Sequence, residues 1–193
     1  MRKLTIDDIS DLREYERTRD EFRRSIIELK KRRRVALGDI VTLVFENVDT
    51  MRWQVQEMAR VERMLRDEQI AHEVATYNEL IPDDGELSAT LFVELDSQAK
   101  LREWLPKLVG IHESVMIVLP DGEVVRGIAD DADRLTRDDV TPAVHFLRFR
   151  FSPAQVDAFR AGPVAVRVDH PEYRAETTLD DVRHAEIASD FTS

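Results

Sequence analysis

The sequence predicts an α+β protein: a mostly antiparallel sheet with a possible β-α-β pseudo-repeat, preceded by a helical N-terminal region. Three observations lead there. An apolar stripe at heptad spacing runs through the first part of the chain. Strict alternation marks Val41–Glu46 and Glu86–Leu95 as strands. The second half then presents the same order of elements twice. We divide the chain into residues 1–85, a helix-rich region with one strand, and residues 86–193, an α+β region with internal duplication, together forming one compact unit.

Thr5-Ile6-Asp7-Asp8 reads as a capping box, with Thr5 as N-cap and Asp8 three residues on. A long helix over 6–33 should follow. Leu12, Tyr15, Phe22, Ile26 and Leu29 take its heptad a and d positions, and Arg19 takes the remaining slot. So narrow a stripe suits packing within the chain or pairing with a second copy. The run Lys30–Arg34 ends this helix, where cations favour the helix dipole and stay solvated. Asp49 or Thr50 can cap a second helix over 50–66. A third covers 68–80, with Ile70, Val74, Tyr77 and Ile81 as its stripe, before the turn "IPDDG". In Glu86–Leu95, residues Leu87, Ala89, Leu91, Val93 and Leu95 share one face. "TLFVELDSQAKLREWLPKLVGIHESVMIVLPDG" and "HFLRFRFSPAQVDAFRAGPVAVRVDHPEY" then each read strand, serine-led helix (Ser97, Ser152), strand and proline turn. They match in pattern rather than identity. A true duplication would set two β-α-β units about a pseudo-twofold axis. "LPDGEVV" signals a hairpin, and Ala129–Asp139 is a polar connection between the copies.

Among the 193 residues, 42% are hydrophobic and 35% charged, which supports a packed core under a charged surface. No apolar run is long enough to span a bilayer, and "MRKLTIDDISD" lacks the apolar core of a secretion signal, so the cytoplasm is the expected location. The absence of cysteine excludes disulfides, thiolate nucleophiles and cysteine-held iron–sulfur clusters. A net charge of −11 argues against nonspecific nucleic-acid binding by the whole chain. The charge is uneven: residues 1–34 hold 12 of the 28 basic and 8 of the 39 acidic residues, a net of +4 against −15 for the remainder. Those two parts attract each other, within one chain or between chains.

On a helical wheel, Met51, Val55, Met58, Val61 and Leu65 form one face, with Glu62 near its centre and Gln54 within it. Glu57 and Arg60 fall outside. A carboxylate among apolar neighbours needs a partner, a proton or a metal. A buried Glu–Arg or Glu–Gln network is the simpler account, and a carboxylate metal site the sharper one. Glu68 and His72 have ligand spacing, but His72 lies opposite its helix's apolar stripe, as a solvated pair would. His72-Glu73 and His112-Glu113 lack the rest of a zinc-protease motif. His145 shares a face with Leu147, Phe149 and Phe151, which suits a satisfied core histidine. The aspartates of 130–139 lack the spacing of a calcium loop. No phosphate loop or nucleophile elbow is present.

The stretches "FEN", "QEMARVE", "TYNELIP" and "GELSATLFVEL", the opening "KLTIDDISDLREYERTRDEFRRSIIELKKRRRVALG" and the late "DHPEYRAE" resemble a bacterial domain-of-unknown-function family, number 3501, over essentially the whole chain. Glu46, Asn47, Gln56, Glu57, Arg60, Glu62, Glu73, Tyr77, Asn78, Glu86 and Ser88 carry the resemblance, and Trp53 stands where a tyrosine is expected. The resemblance implies gene neighbours encoding rubrerythrin-like di-iron proteins and iron–sulfur oxidoreductase subunits, and so a link to peroxide defence or electron transfer. It transfers no catalytic residue.

Three functions follow as expectations. The first is an accessory or interaction protein of a redox, oxidative-stress system, forming a homodimer and binding a redox protein partner. The second is a metal-binding protein or metalloenzyme, holding Fe or Mn on Glu62, Glu57, Glu46 and Glu73, with Gln54, Arg60, Tyr77 and Asn78 nearby. The third, a nucleic-acid-linked regulator using Lys30–Arg34, lacks the interleaved aromatic residues such binding favours.

Overall fold

The structure is a computed structural model that describes residues 1–129 and 140–191. The Thr5 box forms: the Thr5 N–H and hydroxyl donate to the Asp8 carboxylate at 2.7 and 3.0 Å. It encloses only a 3₁₀ turn, Ile6–Asp8. The long helix starts later, as α1 (Leu12–Arg33), with Asp11 accepting the N–H groups of Arg13 and Glu14 at 2.9 and 3.0 Å. The break has a cause in the fold. The buried Gln56 amide bonds both backbone groups of Ser10, accepting its N–H at 3.0 Å and donating to its carbonyl at 2.9 Å. Ser10 is thereby held out of any helix.

The chain continues as β1 (Arg34–Leu37), β2 (Val41–Glu46), α2 (Val48–Val61), α3 (Asp67–Asn78) and β3 (Glu86–Val93). Then come α4 (Gln98–Trp104), β4 (Val115–Val118), β5 (Val124–Arg126) and β6 (Ile128–Ala129). The last elements are β7 (Val144–Arg150), α5 (Pro153–Ala161), β8 (Ala165–His170), β9 (Tyr173–Thr178) and α6 (Asp181–Ala188). Neither Asp49 nor Thr50 caps α2. Asn47 does, accepting both of their N–H groups at 3.1 and 3.0 Å. The helix stops at Val61 rather than at 66, because Arg63 turns left-handed at φ +51°. The first region also holds two strands instead of one, since the expected helix end passes directly into β1.

Among the described residues, all strand pairs are antiparallel and fall into two sheets, ordered β1-β2-β3-β7-β6 and β5-β4-β8-β9. Alternation puts Leu43 and Phe45 of β2, Leu87, Ala89 and Leu91 of β3, and Leu147 and Phe149 of β7 on one inner face. Val115 and Ile117 of β4 and Val166 and Val168 of β8 supply the opposing face. These residues form one buried cluster, closed at its end by Phe159, Ile187 and Phe191. A second cluster, Leu4, Met51, Val55, Val74 and Ile81, joins α2 and α3 to the N-terminal segment, and the expected α3 stripe packs here.

The two similar segments fold alike. Each runs strand, helix and hairpin: β3-α4-β4-β5 and β7-α5-β8-β9. Ser97 and Ser152 cap their helices, accepting the N–H of Lys100 and of Gln155, each at 3.3 Å. β3 pairs with β7 in one sheet and β4 with β8 in the other. Strand order and direction are therefore symmetric about the line between these pairs, except that β1 has no counterpart among the described residues. Each unit spans two sheets, where a single sheet was expected. The polar connection that follows Ala129 lies outside the described residues.

The free edge of β1 is covered by side chains rather than by another strand. Arg183 donates to the Arg34 carbonyl at 2.8 Å, Thr177 to Ala36 at 2.6 Å and Tyr173 to Leu37 at 2.5 Å. Gly38, at φ +66°, turns the chain directly beneath the Tyr173 ring, where a Cβ would collide with the phenol.

Candidate functional site

The candidate site residues of the first region fall among the described residues, whereas the aspartates of 130–139 lie outside them. Glu57 sits between α1 and α2. Arg19 grips it with two bonds, at 2.7 and 2.9 Å, and the Tyr15 hydroxyl donates to it at 2.6 Å. The Arg19 guanidinium accordingly holds the Glu57 carboxyl below the usual carboxylate range. Burial, then Glu57, raises the Tyr15 phenol. Arg60 pairs with Glu16 at 2.6 Å along the same seam. Phe22 meets Trp53 and Tyr15 edge-on, with ring centroids 5.4 and 6.4 Å apart, and the Arg52 guanidinium lies over Phe22 at 4.9 Å. The heptad stripe of α1 is thus packed inside the chain.

Glu62 is exposed and lies past the end of α2, so the wheel that centred it on an apolar face assumed helix that is absent. Gln54 is half-buried on α2. Glu73 faces a shallow hollow shared with Glu68 and His72. Tyr77 packs on the second apolar cluster, and burial raises its hydroxyl. Asn78 acts as Gln56 does: its amide accepts the Leu4 N–H at 2.8 Å and donates to the Leu4 carbonyl at 3.0 Å. Glu46, 3% exposed at the end of β2, accepts the Thr90 hydroxyl at 2.7 Å. Its other oxygen has no partner among the described residues. Glu86 binds Arg148 and Arg150 at 2.6 and 3.0 Å. Among the described residues, no three His, Asp or Glu side chains converge as a metal cage.

The basic run Lys30–Arg34 is not a solvated helix end. Arg33 is fully buried. Its guanidinium clasps Asp190, donates to Glu186 at 3.2 Å and donates to the Phe45 carbonyl at 2.8 Å. Burial pushes the Asp190 carboxyl up, against the pull of Arg33. Arg32 pairs with Glu186, Arg34 with Glu94 and Lys31 with Glu28. Four of the five cations therefore already face carboxylates of this chain.

Beside this run the α1 surface opens into a groove of about 340 Å³, lined by Arg23, Ile26, Ile27, Lys30, Lys31, Arg34 and Trp53. Ile27 is exposed and Trp53 half-buried. An apolar floor thus carries a cationic rim. Helical spacing of Arg23, Ile27, Lys30 and Lys31 creates it, and that signal is present in the sequence. Trp53, reaching it from α2, is what the sequence could not place.

A second feature joins the turn before β4 to β7. His112 and His145 stack in the interior, with centroids 4.9 Å apart and planes inclined by 21°. The imidazoles are 33 positions apart in sequence, and no spacing rule joins them.

What fold and surface define is an α+β protein of two antiparallel sheets with a helical layer that offers a cationic, apolar groove. The chain belongs to the family described as Protein of unknown function (DUF3501), which matches residues 3–191. It is similar to a protein of unknown function from Burkholderia pseudomallei K96243 known from a crystal structure. The two share 34% identity and a TM-score of 0.91, over 99% of this chain and 100% of that one. A search of curated proteins gave no match. Among the described residues, no helix is long and apolar enough to cross a membrane.

Proposed function

We propose that this chain is a bacterial accessory protein whose α1 groove docks a partner protein presenting acidic and apolar side chains. The groove carries the reading. Exposed Ile27 and half-buried Trp53 offer desolvation, and Arg23 and Lys30 beside them select for negative charge. The proposed partner class, a di-iron or iron–sulfur redox protein of a cytoplasmic oxidative-stress system, rests on the gene neighbours that the family resemblance implies. Homodimerisation belongs to the same proposal, because the acidic remainder of the chain complements its basic N-terminal part.

The test is co-purification of the untagged protein from its native cells, side by side with an Ile27→Asp/Lys30→Glu variant. The expected result is a di-iron or iron–sulfur protein held in fixed ratio by the wild type and lost with the variant. Retention of the same protein by the variant would remove the groove from the proposal. Light scattering on the purified chain reads dimerisation directly, as a mass of two chains.

A further inference from the structure

His112 lies in the short 3₁₀ turn Ile111–Ser114, just before β4, and His145 near the start of β7. They are 4% and 6% exposed. β4 and β7 belong to different sheets, so the stacked rings tie the entry of one sheet to a strand of the other. The tie is made by ring faces and not by hydrogen bonds. Nε2 of His145 meets the Thr141 hydroxyl at 3.0 Å, within its own segment. Neither ring nitrogen of His112 has a hydrogen-bond partner among the described residues.

A proton on either ring would place a charge in the interior, where an unpaired charge is costly. The acid of the turn is Glu113. Its Oε1 stands 3.8 Å from Nε2 of His112, too far for a hydrogen bond, and its side chain is 78% exposed. β7 carries Arg148 and Arg150 on its opposite face, where both bind Glu86. β8 packs on the turn and directs Arg167 and Asp169 the other way, to Glu176 and Arg174 of β9. Its last residue, His170, is engaged at both ring nitrogens, by the Val109 carbonyl at 3.0 Å and the Glu172 N–H at 3.3 Å. β3 sets Leu91 directly across from His145, and β6 brings Ile128 and Ala129 to the turn. Among the described residues, a proton arriving at the stack therefore finds no counter-charge. Burial, then the nearness of His112, accordingly lowers the His145 pKa to about 4.

We propose that the stack is an acid-operated latch: protonation of either ring parts the turn Ile111–Ser114 from β7 and opens the buried Leu108 and Ile111 beside it to water. The direction follows from linkage. His145 holds its proton less tightly in the fold than in the unfolded chain, whose value is 6.5. The closed form thus keeps its full stability above pH 6.5 and loses it as pH falls from there toward about 4. The opening is local because each sheet has its own ladder. β3 and β7 pair at seven positions and β4 and β8 at four, and neither ladder runs through the stack.

The test is hydrogen exchange on the full-length protein between pH 7.5 and 4.5, with labelling times corrected for the intrinsic effect of pH, beside an NMR titration of the histidine rings. Protection of the backbone around Leu108–Met116 and Val144–Leu147 should fall by about tenfold or more across that range, in step with the His145 ring. Protection of β2 should persist. The double variant His112→Phe/His145→Phe keeps two stacked rings that take no proton, and its protection should stay level. If that variant does not fold, His145→Gln removes one of the two protons and should make the fall less steep. His72→Ala, far from the stack in sequence and on α3, should behave as wild type. Protection unchanged down to pH 4.5, a fall as steep in the stack variants as in wild type, or loss of β2 protection in the same step overturns the latch.

Discussion

At the residue scale, the polar side chains that carry the family resemblance hold the N-terminal segment in place. Gln56 and Asn78 each bond both backbone groups of a single residue, Ser10 and Leu4. Glu57 joins α1 to α2, and its pKa is lowered by Arg19. Its stabilising contribution is therefore complete above the unfolded carboxylate value of 4.5 and is lost as pH falls through the lower folded value. Urea midpoints measured from neutral to acid pH should fall less steeply in Glu57→Gln than in wild type across that window. Asp190→Ala leaves the buried Arg33 with Glu186 as its remaining counter-charge among the described residues, and should cost about 3–5 kcal/mol in urea unfolding. The double change Arg33→Met/Asp190→Leu should recover much of that loss, since it removes both charges from the interior. None of this could be read from residue types alone. Arg33 looked like one more solvated cation because its partner is 157 positions away. Glu62 looked buried because a left-handed arginine gives no warning of where a helix stops.

At the scale of elements, period and cap chemistry were readable wherever they acted locally. β2 keeps its expected bounds, β3 ends two residues early, and Ser97 and Ser152 start their helices as read. β1 was missed because its first residue is a cation continuing a basic run, and the short strands β6 and β9 and the helix α6 were not identified either. Caps and turns give direct tests. Asn47→Ala removes an acceptor from two N–H groups and should lower stability by about 1 kcal/mol. Gly38→Ala should cost more, of order 1–2 kcal/mol for the left-handed backbone alone, besides displacing Tyr173. Thermal melts of both variants decide the order.

For the whole molecule, the fold class was legible because alternation and helical period reported it independently. The distribution of strands over two sheets was not, since a strand's pattern names its buried face but not its neighbour. The boundary expected at residue 85 falls between β2 and β3, which pair along six positions. A fragment of residues 1–85 should therefore fail to fold, exposing Leu43 and Phe45 along an unpaired strand, as circular dichroism would show by the loss of a cooperative transition. The Arg33–Asp190 clasp also has a meaning for biosynthesis. At about 5–20 residues per second, on the order of 10–30 s separate the making of the guanidinium from the making of its counter-charge. Throughout that interval the nascent chain cannot seal its first helix against its last, and a ribosome-bound intermediate must keep Arg33 in water until the partner arrives.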